Sequence, residues 1–341
     1  MASVTETSTE FVPEAYPYDD VWLSGDDLEK VFAEFDRFST PGQAIEAAGA
    51  ESLSLATKDR DPKLGLAINE GLDQLENGPG YFVLKRSGLE VFDLDQAHIG
   101  ALVLASLAGS PSRPAPGFEI SGDLVNGVSI EEQDITNFVT AKHIYKEKAR
   151  YSDLLSTSVN VGTNMATSSA YLRHPERRIA FFNVSSADDK SVVIKLCDSQ
   201  AVVQKIRARG DERDTLASLK RVLPFLLPED LRPEARSLIT LVEWAKVIGD
   251  DNSIRFDKRS IDAALSIRGI SLAKNGLVAD AAEPEQSRAL GALDAYVASY
   301  RAIECRLEPG DVLFVNNRRI LHEIEPTTDE DRLLIKVGVN A

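Results

Sequence analysis

The fold prediction for this chain depends on one stretch, Gly310-Asp311-Val312-Leu313-Phe314-Val315-Asn316-Asn317-Arg318-Arg319-Ile320-Leu321-His322. With the preceding Pro309 it begins as a tight turn, because proline presets φ while glycine and aspartate tolerate unusual dihedrals. The four apolar residues after the turn are strong β-formers and predict a buried strand. Two amides, two guanidinium groups and a histidine follow. Polar side chains at the end of a core strand favour a functional site, and an edge strand running into solvent is the alternative.

The rest of the chain divides into a helical first third and a strand-rich remainder. Before about residue 118 the patterns predict helices over 24–35, 40–58, 61–77 and 93–108, and an early strand at Tyr81–Lys85. Later, short apolar runs separated by turn residues predict strands at 156–161, 178–184, 192–196, 253–257 and 332–339, as in a β-sandwich or barrel. Ser199 to Leu227 is predicted as a helical insertion, 284–303 as a helix, and 238–248 is ambiguous.

These patterns predict an α+β fold with helices packed on a mostly antiparallel β-core. Residues 1–16 are polar and are predicted to form a flexible arm. Residues 17–341 are predicted to form a single domain, with N-terminal helices over 17–117 and a lid-like insertion at about 199–250.

Composition narrows the classes of partner and the compartment. The 341 residues carry a formal net charge of −16 and no basic block, which argues against nucleic acid and anionic membranes as partners and favours a small-molecule ligand. The two cysteines lie outside any CxxC or Cys/His cluster, so neither a disulfide framework nor a zinc site is predicted. No apolar stretch has membrane-spanning length and no secretory signal is visible, so we expect a cytoplasmic protein.

One of the four histidines occupies a distinctive position. His98 and His143 lie in helical or polar contexts typical of packing or surface residues, and His174 lies in a proline-containing turn. His322 instead ends the apolar strand, and Arg332 begins the next one. If these two strands pair, His322 and Arg332 face one cavity, where an arginine fork suits a carboxylate. The alternative is an exposed Arg332 paired with a neighbouring acidic residue at 329–331.

The segment 310–322, followed by Asp331-Arg332-Leu333-Leu334, resembles the C-terminal signature of the Fe(II)/2-oxoglutarate oxygenases. The resemblance is to the group that includes clavaminate synthase and the arginine β-hydroxylases, relatives of taurine dioxygenase. It extends to the strand and turn at 178–188 and to Gly80–Lys85, and it covers about 80–339. It implies a double-stranded β-helix (jelly roll) with flanking helices. It also implies that His322 is the distal iron ligand and that Arg332 binds the 2-oxoglutarate carboxylate.

The sequence departs from this family at the other iron ligands. The family's His-x-Asp/Glu pair would point both side chains the same way from one strand, but the matching segment is Gly162-Thr163-Asn164. Glycine has no ligand atom, and asparagine offers a neutral amide oxygen in place of a carboxylate. His174-Pro175-Glu176 is an alternative His-x-Glu that would form a complete triad with His322. The loop that follows Glu176 is shorter than the family's, which favours the first match.

Three hypotheses follow. The first is a repurposed enzyme, in specialised metabolism such as natural product biosynthesis, that acts without metal or other cofactor on a small carboxylate- or amino-acid-like molecule. His322 and Asn164 would be catalytic, and Arg332, Arg318, Asn317 and Thr163 would bind substrate. The second is an Fe(II)/2-oxoglutarate oxygenase, a hydroxylase or desaturase, using His174, Glu176 and His322. The third is a non-catalytic binding subunit. A carrier-protein-bound substrate and the oligomeric state are left open.

Overall fold

The computed structural model describes residues 62–85, 87–88, 97, 100–101, 104–111, 165–168, 170, 175–185, 191–209, 213–226, 242–265, 282–324 and 333–340. The helices are α1 (Pro62–Glu76), α2 (Ser199–Ala208), α3 (Arg213–Leu219) and α4 (Ala282–Ser299), with further helical residues between 97 and 106 and at 258–265. The strands are β1 (Tyr81–Leu84), β2 (Ser110–Pro111), β3 (Arg178–Ser185), β4 (Val192–Asp198), β5 (Val222–Leu226), β6 (Val242–Lys246), β7 (Ile303–Leu307), β8 (Val312–Asn316), β9 (Ile320–Ile324) and β10 (Leu333–Asn340). The predicted arm at 1–16 and the predicted helices before residue 61 lie outside the described residues.

The strands form two main antiparallel sheets. The larger sheet has the order β1-β8-β3-β10-β2, and the smaller has the order β7-β4-β9. On the free side of β9, Ala166 forms an isolated antiparallel bridge to His322, which adds a fourth segment to the smaller sheet. The short turn 317–319 carries the chain from β8 in one sheet to β9 in the other. A separate hairpin of β5 and β6 belongs to the insertion.

Alternation along β10 shows how the layers are arranged. Ile335, Val337 and Val339 pack in a cluster with α1 and the helical residues at 97–105, whereas Leu334 packs in the cluster between the two main sheets. Because successive side chains of a strand point to opposite faces, one face of the larger sheet meets helices and the other meets the smaller sheet. A third cluster joins the outer face of the smaller sheet to α2, α3 and α4. The prediction of helices packed on antiparallel sheets is confirmed.

The turn before β8 is held by a buried carboxylate. Asp311 is 2% exposed, pairs with Lys85, and accepts a hydrogen bond from the Glu308 amide at 2.8 Å. Gly310 has φ of 85°, a left-handed conformation that L side chains rarely adopt. The backbones of Gly310 and Asp311 also exchange hydrogen bonds with Asn183 on β3. The turn predicted from the sequence is therefore present and fixes where β8 begins.

The insertion differs from its prediction in one element. Ser199 to Leu227 was predicted to be helical, and α2 and α3 occupy most of it, but Val222–Leu226 forms strand β5. This strand pairs with β6 and buries Leu223 and Phe225 in the cluster with the helices, so tertiary packing overrides the helical context. The strand predicted at 253–257 is reduced to a bridge between Ile254 and Ile248.

Candidate functional site

His322 lies at the centre of β9, between β4 and the segment that contains Ala166. Its backbone N–H donates to the Ala166 oxygen at 3.0 Å, and its oxygen accepts from the Ala166 N–H at 3.1 Å. On the other side it pairs with Leu196 of β4. Directly paired residues share a face, and Leu196 packs between the sheets. The His322 side chain therefore enters the space between the two sheets, where the edge of its ring meets Phe181 at 5.1 Å between centroids.

The imidazole of His322 is buried and neutral. It is 9% exposed, and its Nδ1 has no hydrogen-bond partner. Burial, with a further contribution from the charge on Lys336, lowers the pKa of His322 to about 3. Desolvation has this effect because it disfavours the charged form. At pH 7 the ring is thus neutral, which is the protonation state in which an imidazole nitrogen binds a metal ion.

Lys336 is a site residue that was not singled out from the sequence. It pairs directly with Phe181, the residue whose ring contacts His322. It also lies two residues after Leu334, on the face of β10 opposite to Ile335 and Val337. Its side chain therefore leaves β10 on the face that points towards the smaller sheet, and its charge contributes to the lowered pKa of His322. A single lysine in the apolar run 333–339 was the signal that could have identified it.

Asn317 supports the backbone at the turn between β8 and β9. It is fully buried, its Oδ1 accepts from the Ser168 N–H at 2.8 Å, and its Nδ2 donates to the oxygens of Ser168 and Glu176 at 3.1 and 2.9 Å. These bonds tie three separated segments together. The binding of substrate by Asn317 stays a prediction, and the geometry gives its side chain a structural role.

Arg318 points away from the interior. Its side chain is 45% exposed and pairs with Asp251 at 2.8 Å. Together they line a cavity of about 540 Å³ that also includes Glu176 and Arg255, and His322 is not among its described lining residues. Arg318 precedes β9, whereas the chain leads from the other end of β9 towards Arg332. The expected convergence of Arg318 with His322 is therefore not seen.

Arg319 fixes the same turn to the insertion. Its Nε and Nη2 donate to the two oxygens of Asp198 at 3.2 and 2.6 Å, and its Nη1 donates to the Gly78 oxygen at 2.7 Å. Asp198 also caps α2 by accepting from the Gln200 N–H at 2.9 Å. Asp198 raises the pKa of Arg319 through this charge-assisted pair. The start of β9, the loop after α1 and the start of α2 are thereby held in one arrangement.

The remaining predicted site residues are only partly described. Thr163, Asn164, His174 and Arg332 lie outside the described residues. Glu176 is described, and it lines the cavity that His322 does not reach. Within the described part of the chain, no three His, Cys, Asp or Glu residues come together as a metal-binding group. The alternative triad of His174, Glu176 and His322 stays a prediction, because His174 lies outside the described residues.

The comparisons with known proteins concern the fold. No family model and no curated protein matches the chain. Three structures of the non-heme iron oxygenase OrfP are similar to it, each at 14% identity. The complex with Fe and alpha-ketoglutaric acid has a TM-score of 0.54 and covers 93% of each chain. A mutant complex with (3S)-hydroxy-L-Arg has a TM-score of 0.56, and the complex with Fe, succinate and (3R,4R)-dihydroxy-L-Arg has 0.55; both cover 92% of this chain and 90% of the other.

The likeness shows that the chain has the fold of a non-heme iron oxygenase. The resemblance to the Fe(II)/2-oxoglutarate oxygenases is confirmed at this level, as is the prediction of an oxidoreductase-type fold. The prediction that the protein uses no cofactor is contradicted, because structures with this fold hold Fe and alpha-ketoglutaric acid. The prediction rested on Gly162 and Asn164, which provide neither imidazole nor carboxylate, whereas His322 keeps a nitrogen donor. Within the described part of the chain, no helix combines the length and apolarity needed to cross a membrane. The cytoplasmic location stays a prediction.

Among the described residues, the space between the sheets offers one nitrogen donor without a hydrogen-bond partner. His322 presents a buried nitrogen without a partner, and the ring is deprotonated at neutral pH, as metal binding requires. The residue directly across the strand pair is Ala166, which has no ligand atom. Within the described part of the chain, His322 is thus the one interior residue with a donor nitrogen of this kind.

Proposed function

We propose that the protein is an oxidoreductase of the Fe(II)/2-oxoglutarate type that acts on a small amino-acid-like molecule. The observation that carries this proposal is the buried, neutral imidazole of His322, whose Nδ1 has no partner. It lies inside a fold shared with an iron oxygenase that was solved with Fe and L-Arg. The hydroxylated arginines in other complexes of that enzyme suggest a free amino acid or a close relative as substrate.

We propose a double-stranded β-helix as the core. Two facing antiparallel sheets support it, together with connections that cross from one sheet to the other. The turn 317–319 passes from the larger sheet to the smaller, and β3 and β4 likewise follow each other in different sheets. A barrel of this kind encloses a space between its sheets, and that space contains His322 and Lys336.

In this proposal each predicted site residue has a defined task. His322 holds the metal through its free nitrogen, and Asn164 supplies a neutral amide oxygen. Arg332 binds a carboxylate of the substrate or cosubstrate, and Thr163 also binds substrate. Iron with 2-oxoglutarate supplies the oxidising power for attack on an unactivated C–H bond. Phe181, Leu196 and Leu334 surround this space with apolar side chains and exclude water from it.

We further propose that the insertion controls access. It carries exposed basic residues, among them Arg207, which donates to Asn252 at 2.6 Å, and Arg209, which lies over the Tyr296 ring at 5.4 Å. Arg221 pairs loosely with Glu285 at 3.7 Å. Exposed cations in a protein of net charge −16 can guide an acidic substrate.

The decisive experiment is an anaerobic titration of the purified protein with Fe(II) and 2-oxoglutarate, followed by the charge-transfer absorption of the complex. We expect the band to appear in the wild type and to vanish in His322→Ala. Glu323→Gln is the matched control, because Glu323 is the next residue on β9 and points to the opposite face. A wild type without the band, or a His322→Ala protein that keeps it, would refute the proposal. If the band depends on His322, assays of turnover with L-arginine and related amino acids would identify the substrate.

A further inference from the structure

One side chain in the turn between β8 and β9 pairs with a backbone as a strand would. The fully buried Asn317 bonds twice to Ser168: its Oδ1 accepts from the Ser168 N–H at 2.8 Å, and its Nδ2 donates to the Ser168 oxygen at 3.1 Å. Its Nδ2 also donates to the Glu176 oxygen at 2.9 Å. The oxygen and the amino group of this amide are thus both engaged with backbone groups of other segments.

The contact with Ser168 supplements a single bridge between its segment and β9. Ala166 and His322 exchange both backbone hydrogen bonds, but this bridge is isolated. In a continued antiparallel ladder Ser168 would lie opposite Ile320, whereas it pairs with the Asn317 side chain. A slip by one residue would turn every side chain of the segment to the opposite face. A second attachment, two residues beyond the bridge, therefore fixes which side chains face His322.

The segment fixed in this way leads to two predicted site residues. Thr163 and Asn164 precede Ala166 by three and two positions, and an extended chain covers at most about 3.6 Å per residue. The position of Ala166 opposite His322 consequently limits where Thr163 and Asn164 can lie. A change in the position of the segment would change their distance from the interior.

We propose that Asn317 is a positioning residue, which holds the segment 166–168 in register with β9 so that the site residues preceding it meet the substrate beside His322. The functional part of this inference rests on the proposed function, since it assumes that substrate binds between the sheets. Asn317 acts through the backbone of Ser168 and does not touch the substrate. This role differs from the direct substrate contact that the sequence predicted for Asn317.

The test is residue-resolved amide hydrogen exchange of the full chain under native conditions. In Asn317→Ala, the Ala166 and His322 amides should exchange at least tenfold faster, relative to the slowest amides of β8, than they do in the wild type. Global unfolding exposes both sets of amides, whereas local opening exposes one of them. A side chain that contributes only to overall stability would accelerate both sets by the same factor, so the ratio of the two rates distinguishes positioning from stability.

Asn316→Ala is the matched control. Asn316 is the preceding residue, and its side chain also bonds backbone groups: Nδ2 donates to the Leu75 oxygen and Oδ1 accepts from the Arg318 N–H, both at 3.1 Å. These bonds lead to α1 and to the turn itself, so Asn316→Ala should keep the ratio of exchange rates within threefold of the wild type. Asn317→Ser is a second variant, whose short hydroxyl cannot make all three bonds, and it should raise the ratio at least threefold.

The wild type decides the matter if neither variant folds. Its exchange is then measured in increasing urea, and the amides of Ala166, Ser168 and His322 should open as one unit. Independent opening of the Ser168 amide, which bonds to Asn317, would refute the positioning role. An unchanged ratio in Asn317→Ala would refute it as well, because the bonds between Thr167 and Phe256 would then suffice to hold the segment.

Calorimetric titration of metal-free protein with L-arginine tests the functional part. Asn317→Ala should bind L-arginine at least fivefold more weakly than the wild type, and Asn316→Ala should stay within twofold of it. Release of the segment without a loss of affinity would refute the link to substrate binding. A wild type that does not bind L-arginine would overturn the proposed substrate instead, and the exchange rates would still decide whether Asn317 positions the segment.

Discussion

Two adjacent arginines at the start of β9 should contribute very differently to stability. Arg319 and its partner Asp198 each expose 19% of their side chains, and their pairing is bidentate. Arg318 and its partner Asp251 are 45% and 54% exposed. The two arginines are neighbours with the same side-chain chemistry, but Arg319 is more buried and makes more hydrogen bonds than Arg318. The comparison of Arg319→Met with Arg318→Met measures the combined effect of burial and bonding.

The magnitudes follow from the contacts. Removing one partner of a buried ion pair costs roughly 3–5 kcal/mol, and we reduce this to about 2 kcal/mol because a fifth of each side chain is exposed. The lost hydrogen bond to the Gly78 oxygen adds about 1 kcal/mol. Arg319→Met should therefore lower the free energy of unfolding by about 3 kcal/mol. Exposed pairs contribute about 0–1 kcal/mol, so Arg318→Met should have an effect of less than about 1 kcal/mol.

Urea unfolding followed by fluorescence measures both free energies. A double-mutant cycle with Asp198→Asn tests whether the loss belongs to the pair, and we expect a coupling energy above about 1.5 kcal/mol. Asp198→Asn keeps an oxygen for the α2 cap, so the cycle reports chiefly the interaction with Arg319. Equal losses for Arg318→Met and Arg319→Met, or a coupling energy near zero, would show that burial does not decide the strength of these pairs.

Three further predictions concern packing, protonation and thiol reactivity. A Cβ at Gly71 would lie 2.6 Å from the Phe82 ring, which is buried and stacked on Phe314, whereas a Cβ at Gly291 meets nothing within 4 Å. In thermal unfolding, Gly71→Ala should therefore destabilise the protein by about 1–3 kcal/mol, because the added methyl group overlaps the ring. Gly291→Ala should stabilise it by up to about 1 kcal/mol, because alanine favours the helix. His322 has a pKa of about 3 in the folded state and about 6.5 when unfolded, so between these pH values only the unfolded state binds the extra proton, and the free energy of unfolding falls as the pH drops. In metal-free protein, His322→Gln should reduce the slope of the free energy of unfolding against pH by about 1.4 kcal/mol per pH unit in this window. An unchanged slope would contradict the burial of a neutral ring. Cys197 and Cys305 are free and buried, and burial raises the pKa of each thiol to about 12. A disulfide reagent should therefore label neither thiol at pH 8 until denaturant is added. Rapid labelling of the native protein would show that at least one of the thiols is accessible and reactive.

The sequence predicted most of the β-core because local patterns and final packing agree there. The turn at 309–311 and the apolar run 312–315 predict β8 directly, and the runs at 178–184 and 192–196 correspond to β3 and β4. Strand β5 was missed because Val222–Leu226 follows a helix-forming stretch and contains Pro224. Its pairing with β6 is a tertiary contact that no local pattern reveals.

The candidate site was predictable in part for a similar reason. His322 was identified because it follows an apolar strand, and the structure places it between the sheets. Asn317 and Arg318 were grouped with it because they are near in sequence. They belong to the turn, where the Asn317 side chain bonds backbone groups and the Arg318 side chain faces outward. Lys336 is fourteen residues from His322, and only the pairing of β10 with β3 brings it to the same space.

Strand β10 places the residues that stabilise the fold and the residues that face the interior on opposite faces, so each set can be changed separately. Ile335, Val337 and Val339 contact the helical layer, and Leu334, Lys336 and Gly338 face the interior. A combinatorial library confined to the second set would vary the shape and charge of the space between the two sheets while leaving the contacts with the helices unchanged. Gly338 is paired with Ile179 and contributes no side-chain volume to that space. Replacing it by a larger residue would add side-chain volume there without altering the helical face of β10.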